Sequence, residues 1–236
     1  MKLSISIISL GPGSADLITL RGLRELEQAD VIFSPSTKLR DGSESSRAFD
    51  IMQELGIPST KIKLYHLPMS KDRTLALGAY AAVAREAAEL TKQGKKVVVT
   101  AEGDAGFYSS SHYIIEALRG YDIQTEKVPG VPAFIACGAH AQMHVVMQEE
   151  SLVVVAKSMT TEDLEAHLNT NEVVVIMKAS LCTQAIKNVM DTNQGVTFHY
   201  FENIGYHNEF YTTDKQTILD RKFPYFSLLI IKRDAE

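Results

Sequence analysis

The stretch VVVTAEGD at residues 97–104 decides the fold of this 236-residue chain. Its apolar start, Val97–Thr100, predicts a strand that is buried on both faces. A helix is predicted before it, over Asp72–Gln93, because small and apolar residues recur at spacings of three and four and Gly94 provides a C-terminal stop. Another short strand, Ile62–Tyr65, precedes that helix. Strand, crossover helix and strand in this order predict a parallel sheet with flanking helices.

The N-terminal residues continue the same pattern. Leu3–Ser9 predicts a buried strand, which a glycine-proline-glycine turn follows at residues 11–13. A helix over about Asp16–Gln28 is predicted from leucines at every third position. A strand at Val31–Phe33 and a helix over Ser43–Leu55 come next. We therefore expect an α/β domain with a mainly parallel sheet in the N-terminal half.

The second half has a different order of elements. The break PGVP at residues 129–132 leads into a helix of small residues at Ala133–Ala141, and a further helix is predicted around Thr183–Met190. The predicted strands are Leu152–Ala156, Val173–Met177, Thr197–Asn203, Glu209–Thr213 and Tyr225–Lys232. Little helix is expected between the last three of them. Such a run predicts a mixed sheet with antiparallel members. The expected fold is α/β with two domains, residues 1–126 and 127–236.

The composition excludes several classes of function. The net charge is −5 and the isoelectric point is about 5.8, so no basic face for nucleic acid is expected. The apolar segment Met1–Leu10 is too short for a signal peptide or a membrane span, which makes the cytoplasm the expected location and a membrane partner unexpected. Cys137 and Cys182 are expected to be buried free thiols. His140 and His144 could share a helix face, but such pairs often occur by chance, and no metal site is predicted.

Two glycine-containing loops follow strands of the predicted parallel sheet. One is at residues 11–13 and the other, GDAGFYS, at residues 103–109. Ligands of open α/β sheets bind at the carboxyl ends of the strands, and small residues let the backbone approach them closely. Asp104 is therefore a candidate acceptor for a ribose or an amino group. Two plainer interpretations stay open: Asp104 caps the helix that starts near Ser109, and the first loop is only a tight turn.

Four motifs in order resemble those of the tetrapyrrole methylases, the family of corrin and porphyrin methylases. The first is GPG at residues 11–13 followed by DLITLRG at 16–22. The second, at 103–109, is similar to the family's GDPxxYS, and the third is PGV at 129–131 before an alanine-rich helix. The fourth, VVVIMK at 173–178, resembles the central-strand motif of the second domain. Because the four motifs span nearly the whole chain, the match is specific.

Within this family the chain most resembles the precorrin-2 or cobalt-factor II C(20)-methyltransferase branch. That similarity rests on LPMSKD at residues 67–72, Glu102 before the second motif, and PYFSL at 224–228. It implies a two-domain, S-adenosyl-L-methionine-dependent methyltransferase of cobalamin biosynthesis, with the cofactor in a cleft between the domains. The implied substrate is a tetrapyrrole, precorrin-2 or cobalt-factor II, methylated at carbon 20. The resemblance also implies a homodimer.

The resemblance transfers site residues position by position. The implied cofactor contacts are Pro12, Gly103, Asp104, Phe107, Pro132, Ala133, Met177, Ile204 and Ser227. Met177 could instead be an ordinary core residue. Candidate contacts to the polycarboxylate substrate are Tyr108, His112 and Arg21. No catalytic residue is assigned, although Tyr108, His112 and His144 are considered as proton acceptors.

The sequence departs from the family pattern at three places. Ser14 and Ala15 stand where the family commonly has Asp-Pro, Ala105 replaces a proline, and residues 142–145, QMHV, replace a Gly-x-Pro-Leu stretch. Three alternatives therefore stay open. They are methylation of another tetrapyrrole carbon, a protein or RNA methyltransferase of the same fold, and a cofactor-binding protein with lost or altered methylase activity.

Overall fold

The computed structural model describes residues 2–38, 44–67, 73–170 and 172–233. The chain forms two compact units, Met1–Pro132 and Ala133–Glu236. Residues 68–72 of the segment LPMSKD, on which part of the branch resemblance rests, lie outside the described residues. Within the described ranges, no helix has both the length and the apolar character needed to cross a membrane.

The first unit contains a mainly parallel sheet with helices on both faces. Its strands are β1 (Ser4–Ser9), β2 (Val31–Lys38), β3 (Glu44–Ser45), β4 (Ile62–His66), β5 (Val97–Ala101) and β6 (Gln124–Val128). Its helices are α1 (Leu20–Gln28), α2 (Arg47–Glu54), α3 (Arg73–Lys92) and α4 (Ser111–Leu118). Strands β4, β2, β5, β1 and β6 lie side by side in that order and are all parallel, while β3 pairs antiparallel with the end of β2.

Alternate residues of the central strands enter two different cores. Val97 and Val99 pack with Ile7 and with residues of α3 and α4. Val98 instead packs with Ile8 and with residues of α1 and α2 on the other face. All residues of β5 are buried, as the prediction for Val97–Thr100 required.

Local capping explains where two helices begin later than predicted. The Thr19 side chain accepts a hydrogen bond from the amide of Gly22, so α1 starts at Leu20 and not near Asp16. Ser46 caps α2 in the same way by accepting from the amide of Phe49. The residues just before that cap are extended and form β3, which the sequence analysis had assigned to the helix.

The second unit contains a mixed five-stranded sheet. Its strands are β7 (Ser151–Val155), β8 (Glu172–Met177), β9 (Val196–Glu202), β10 (Phe210–Thr212) and β11 (Ser227–Arg233). Its helices are α5 (Ala133–His140), α6 (Thr161–Asn169), α7 (Thr183–Thr192) and α8 (Lys215–Asp220). The order is β10, β9, β11, β8, β7, in which only β7 and β8 are parallel. The mixed sheet was predicted from the sequence.

Two details of the second unit correct the sequence analysis. Helices α6 and α8 were not predicted: α6 lies between β7 and β8, and the six-residue α8 lies between β10 and β11. Helix α5 ends at His140, so His140 and His144 do not share a helix face. His140 instead places its Nδ1 3.5 Å from Oε1 of Glu209.

Candidate active site

The loops after β1 and β5 lie side by side at the carboxyl edge of the first sheet. Strands β1 and β5 are neighbours in the sheet. The chain continues from β1 to β2 on one side of this pair and from β5 to β6 on the other side, so the two connections run in opposite directions. Such a reversal is the usual ligand crevice of an open α/β sheet. The amide of Gly11 donates to the carbonyl of Gly103 over 3.2 Å, and the amide of Gly103 donates back to Gly11 over 2.7 Å. The structure thus joins the first two sequence motifs directly.

Glycine is required at both positions of this main-chain pair. Gly11 has a φ of 83° and Gly103 a φ of 66°. Residues other than glycine rarely adopt such positive φ angles. A Cβ built on Gly103 would have no neighbour within 4 Å, so the backbone there borders open space. Gly11 is buried, so the open main chain of the pair is that of Gly103, where no side chain keeps a ligand away.

Asp104 ties this loop to the third motif. Its Oδ1 accepts from the amide of Gly106 and its Oδ2 from the amide of Gly130, both over 2.7 Å. Asp104 does not cap the following helix, because α4 begins at Ser111 with Ser110 as its N-cap. The carboxylate therefore fixes residues 103–106 against residues 129–130, and its remaining lone pairs are available to a ligand.

Ser9 is a positioning residue that the sequence analysis missed. Its buried hydroxyl donates to the carbonyl of Val128 over 2.6 Å and accepts from the amide of Ala105 over 2.8 Å. One side chain thus connects the ends of β1 and β6 with the loop after β5. The signal in the sequence was a serine at the end of a strand, just before the glycine turn.

We expect Gly130→Ala to lower the free energy of unfolding by about 2 kcal/mol, as overpacking in tight sites does. An added Cβ would lie 2.4 Å from Cβ of Ser9 and 2.8 Å from the carbonyl oxygen of Gly103. Urea denaturation followed by circular dichroism measures the effect. Gly120→Ala is the matched control, since a Cβ there meets nothing within 4 Å. Equal stability of the two variants would show that the Gly130 contact relaxes without cost.

The predicted substrate contacts near the second motif are both exposed. Tyr108 has a φ of 49° and is 55% exposed, with its ring edge against Phe107 at a centroid distance of 4.9 Å. Nδ1 of His112 lies 2.9 Å from the carbonyl oxygen of Ser109. A carbonyl only accepts, so Nδ1 carries the proton and Nε2 is the nitrogen left for a ligand.

Arg21, the third predicted substrate contact, has a partner within the first unit. It lies in the first turn of α1, and its guanidinium donates to the carboxylate of Glu126 on β6. This hydrogen bond and ion pair raise the pKa of Arg21. Substrate carboxylates would therefore have to share the guanidinium with Glu126 or displace it.

Glu102 lies between strand β5 and the paired glycine. It is half-buried, and burial raises the pKa of its carboxyl; Arg47 acts in the opposite direction and Asp50 adds to the increase. Tyr65, at the end of β4, has its own pKa raised by burial, with smaller contributions from Tyr80 and Glu102. In the sequence, Glu102 served only to support the resemblance to the C(20)-methyltransferase branch of the family. Nothing in the sequence alone indicated its desolvation.

Three of the predicted cofactor residues lie at one edge of the second sheet. Met177 ends β8 and pairs with Leu228, next to Ser227 at the start of β11. Ile204 follows the end of β9, where the amide of Asn203 donates to the carbonyl of Phe226 over 3.0 Å. The hydroxyl of the buried Ser227 donates to the carbonyl of Pro224 over 2.6 Å, so its proton is not available to a ligand.

The remaining two candidates lie at the division between the units. Pro132 is the last residue of the first unit, and Ala133 is the first residue of α5 in the second. The structure brings Pro12, Gly103 and Asp104 into one loop cluster in the first unit. It groups Met177, Ile204 and Ser227 at one sheet edge in the second.

The loop cluster of the first unit suits a ligand that is recognised through main-chain groups. Open backbone at Gly103, the carboxylate of Asp104 and the apolar ring of Pro12 offer hydrogen bonds and a nonpolar surface. A nucleoside that carries an amino-acid tail presents matching hydroxyl, amino and carboxylate groups. The residues present therefore fit S-adenosyl-L-methionine.

Comparison with known proteins gives consistent results. The family described as Tetrapyrrole (Corrin/Porphyrin) Methylases matches residues 4–218. Cobalt-precorrin-2 C(20)-methyltransferase of Salmonella typhimurium is 30% identical over 171 residues, which are 72% of this chain and 70% of that protein. The solved structure of cobalt precorrin-4 methyltransferase, a cobalamin biosynthetic enzyme, superposes with a TM-score of 0.71 at 18% identity and covers 98% of this chain and 95% of that one.

A further solved structure is that of uroporphyrin-III C-methyl transferase from Thermus thermophilus complexed with S-adenyl homocysteine. Its TM-score is 0.64 at 15% identity, with 97% of each chain covered. The structural neighbours confirm the predicted fold class, and the family match confirms the predicted enzyme class, a methyltransferase. The chain belongs to the family of tetrapyrrole (corrin/porphyrin) methylases.

Proposed function

We propose that this chain transfers a methyl group from S-adenosyl-L-methionine to carbon 20 of precorrin-2 or cobalt-factor II, in cobalamin biosynthesis. The observation that carries the proposal is the main-chain pair of Gly11 and Gly103, which joins two family motifs at the reversal point of a parallel sheet. The name of the Salmonella relative supports the choice of carbon 20. The S-adenyl homocysteine complex of the Thermus structure supports the choice of cofactor.

The residues proposed to contact the cofactor are Pro12, Gly103, Asp104, Phe107, Pro132, Ala133, Met177, Ile204 and Ser227. When bound, S-adenosyl-L-methionine supplies an electrophilic methyl group on a sulfonium whose leaving group is a neutral thioether. The main task of the chain is then to hold the acceptor carbon in line with that methyl group. Alignment of this kind supplies about 7–11 kcal/mol of barrier reduction in favourable cases.

A second candidate is methylation of a different carbon of a tetrapyrrole. The superposition with cobalt precorrin-4 methyltransferase, over 98% of this chain, favours it, because one fold serves more than one relative. The missing carboxylate at Ser14 and the missing proline at Ala105 lie in the motifs expected to meet the ligands. The homodimer implied by the family and the cytoplasmic location expected from the N-terminal segment remain predictions.

Incubation with methyl-labelled cofactor and a tetrapyrrole, followed by NMR of the product, tests the proposal. Metal-free precorrin-2 and cobalt-factor II are supplied in separate reactions. We expect the label at carbon 20 with one of them. Label at another carbon would support the second candidate. No label with either tetrapyrrole, together with cofactor uptake by calorimetry, would indicate a cofactor-binding protein without methylase activity. Label in an added protein or RNA acceptor would overturn the tetrapyrrole assignment.

A further inference from the structure

We propose that the carboxylate of Glu102 accepts the proton that leaves the macrocycle carbon once it carries the new methyl group. The assignment deepens the proposed function and rests on it. It names a catalytic base, a role for which the sequence analysis had considered only Tyr108, His112 and His144.

The first argument is the place of Glu102 in the fold. It follows the last residue of β5 directly and precedes Gly103, whose main chain pairs with Gly11. The side chain therefore emerges at the carboxyl edge of the sheet, at the reversal point where a ligand of this fold lies.

The second argument is that the described part of the fold does not use its carboxylate. Glu102 forms no hydrogen bond or ion pair with any residue in the described ranges 2–38, 44–67, 73–170 and 172–233. Other shielded carboxylates are committed: Glu202 to Arg221 and Glu150 to Lys232, both over 2.8 Å, and Asp104 to two amides. A half-buried carboxylate normally has partners, because desolvation without them is costly. Its availability at a ligand edge indicates that its partner is a substrate atom.

The third argument is electrostatic. Arg47 and Asp50 act on Glu102 from α2, and Tyr65 faces it from β4. Nδ1 of His66, at the end of β4, lies 3.1 Å from Oε1 of Glu44, in β3. Desolvation exceeds the effect of Arg47, so the pKa of Glu102 is raised and the carboxylate is a stronger base than an ordinary glutamate.

The proposed step balances without any further reactant. The carbon–hydrogen bond of the methylated carbon breaks, and its electron pair restores a double bond in the ring system and cancels the positive charge left by the addition. The proton forms an oxygen–hydrogen bond on Glu102. Water then takes the proton when the product leaves.

The test is Glu102→Gln, which keeps the shape of the side chain and cannot accept the proton. We expect the binding of S-adenosylhomocysteine by calorimetry to stay within threefold, and the single-turnover rate with the tetrapyrrole to fall by about 100-fold. The acid limb of the pH–rate profile should disappear with it. Glu102→Asp should recover part of the rate, since a carboxylate is restored.

Two neighbouring variants predict shifts of opposite sign. Because Asp50 raises the pKa of Glu102 and Arg47 lowers it, Asp50→Asn should move the acid limb to lower pH and Arg47→Gln to higher pH. Carbon-13 NMR of labelled glutamate carboxyls in the ligand-free protein should show the same two shifts for one resonance. That resonance should be missing in Glu102→Gln. This readout needs neither cofactor nor turnover.

The outcomes separate the two proposals. If the wild type methylates neither tetrapyrrole, the proposed function fails. If the wild type is active and Glu102→Gln keeps both its rate and its acid limb, only the role of Glu102 fails. Loss of the acid limb in His112→Gln, with an unchanged profile in Glu102→Gln, would assign the base to His112 instead.

Discussion

Replacing Glu202 by alanine is expected to lower the free energy of unfolding by about 3 kcal/mol, the scale on which a shielded ion pair loses one partner. Glu202, only 8% exposed, accepts from Nε and Nη2 of Arg221 over 2.8 and 2.9 Å and from the hydroxyl of Tyr200 over 2.6 Å. The guanidinium of Arg221 also lies 3.7 Å from the ring centroid of Phe210. Without Glu202, the guanidinium and the Tyr200 hydroxyl lose their acceptor in a shielded place.

The pH dependence of this effect has a definite sign. Burial alone would raise the pKa of Glu202, but the hydrogen bonds from Arg221 and Tyr200 outweigh it and the pKa is lowered. Since the folded pKa lies below the unfolded value of about 4.3, the stabilisation is present above that value and is lost as the pH falls through the folded one. The difference in stability between wild type and Glu202→Ala should therefore shrink on acidification.

Urea denaturation at several pH values, followed by circular dichroism, tests both the loss of stability in Glu202→Ala and its decrease at acidic pH. Glu149→Ala is the control, because Glu149 is exposed and its replacement should change stability by no more than about 0.5 kcal/mol. An equal loss in both variants, or a Glu202→Ala difference that stays constant with pH, would contradict the assignment of stability to this network.

The strands that the sequence predicted well are those with buried residues throughout. Val97–Ala101 and Val173–Ile176 bury every residue, so their apolar runs identify them without knowledge of the fold. Strand β6 is different, because it lies at a sheet edge and, among the described strands, pairs with β1 alone. Of its residues only Val128 is buried, and Gln124 and Glu126 are exposed. A strand of this composition has no apolar pattern to detect, which is why it was missed.

The missed helices had signals that hydrophobic spacing does not use. Thr160 and Asp163 form a capping box at the start of α6, each side chain bonded to the main chain of the other. Asp214 caps α8 by accepting from the amide of Thr217. Helix α8 spans only six residues, Lys215–Asp220, with Ile218 as its buried residue. Capping residues were therefore the better guide to these helices.

The candidate site could be predicted in part. The positions of the two glycine loops follow from strand order alone, because parallel strands end at one edge. The partner of Asp104 does not follow, since Gly130 lies 26 residues away in the chain and the contact depends on how β6 returns to the sheet. The availability of the Glu102 carboxylate could not be predicted either. Whether a side chain has a hydrogen-bond partner depends on the residues that the fold places around it, and a sequence motif does not show them.

Asp104→Ala is expected to weaken the binding of S-adenosylhomocysteine by about 100-fold, provided that the chain binds this nucleoside as proposed. The variant loses two hydrogen bonds from main-chain amides to a charged group, each worth about 1.5–3 kcal/mol. One of them holds residues 103–106 in shape through Gly106, and the other holds that loop against Gly130. Since the proposed binding uses the open backbone at Gly103, a loosened loop would first have to be ordered again, and that ordering cost would reduce affinity.

Isothermal titration calorimetry measures the change, with circular dichroism to confirm that the variant is folded. Asp104→Asn should bind about tenfold more weakly than wild type, because one carbonyl oxygen remains to accept from one of the two amides. Asp191→Ala replaces an exposed aspartate of α7 and should bind as wild type does. A folded Asp104→Ala protein with wild-type affinity would show that the nucleoside does not depend on this loop, and the site would then have to be sought among the other candidate residues.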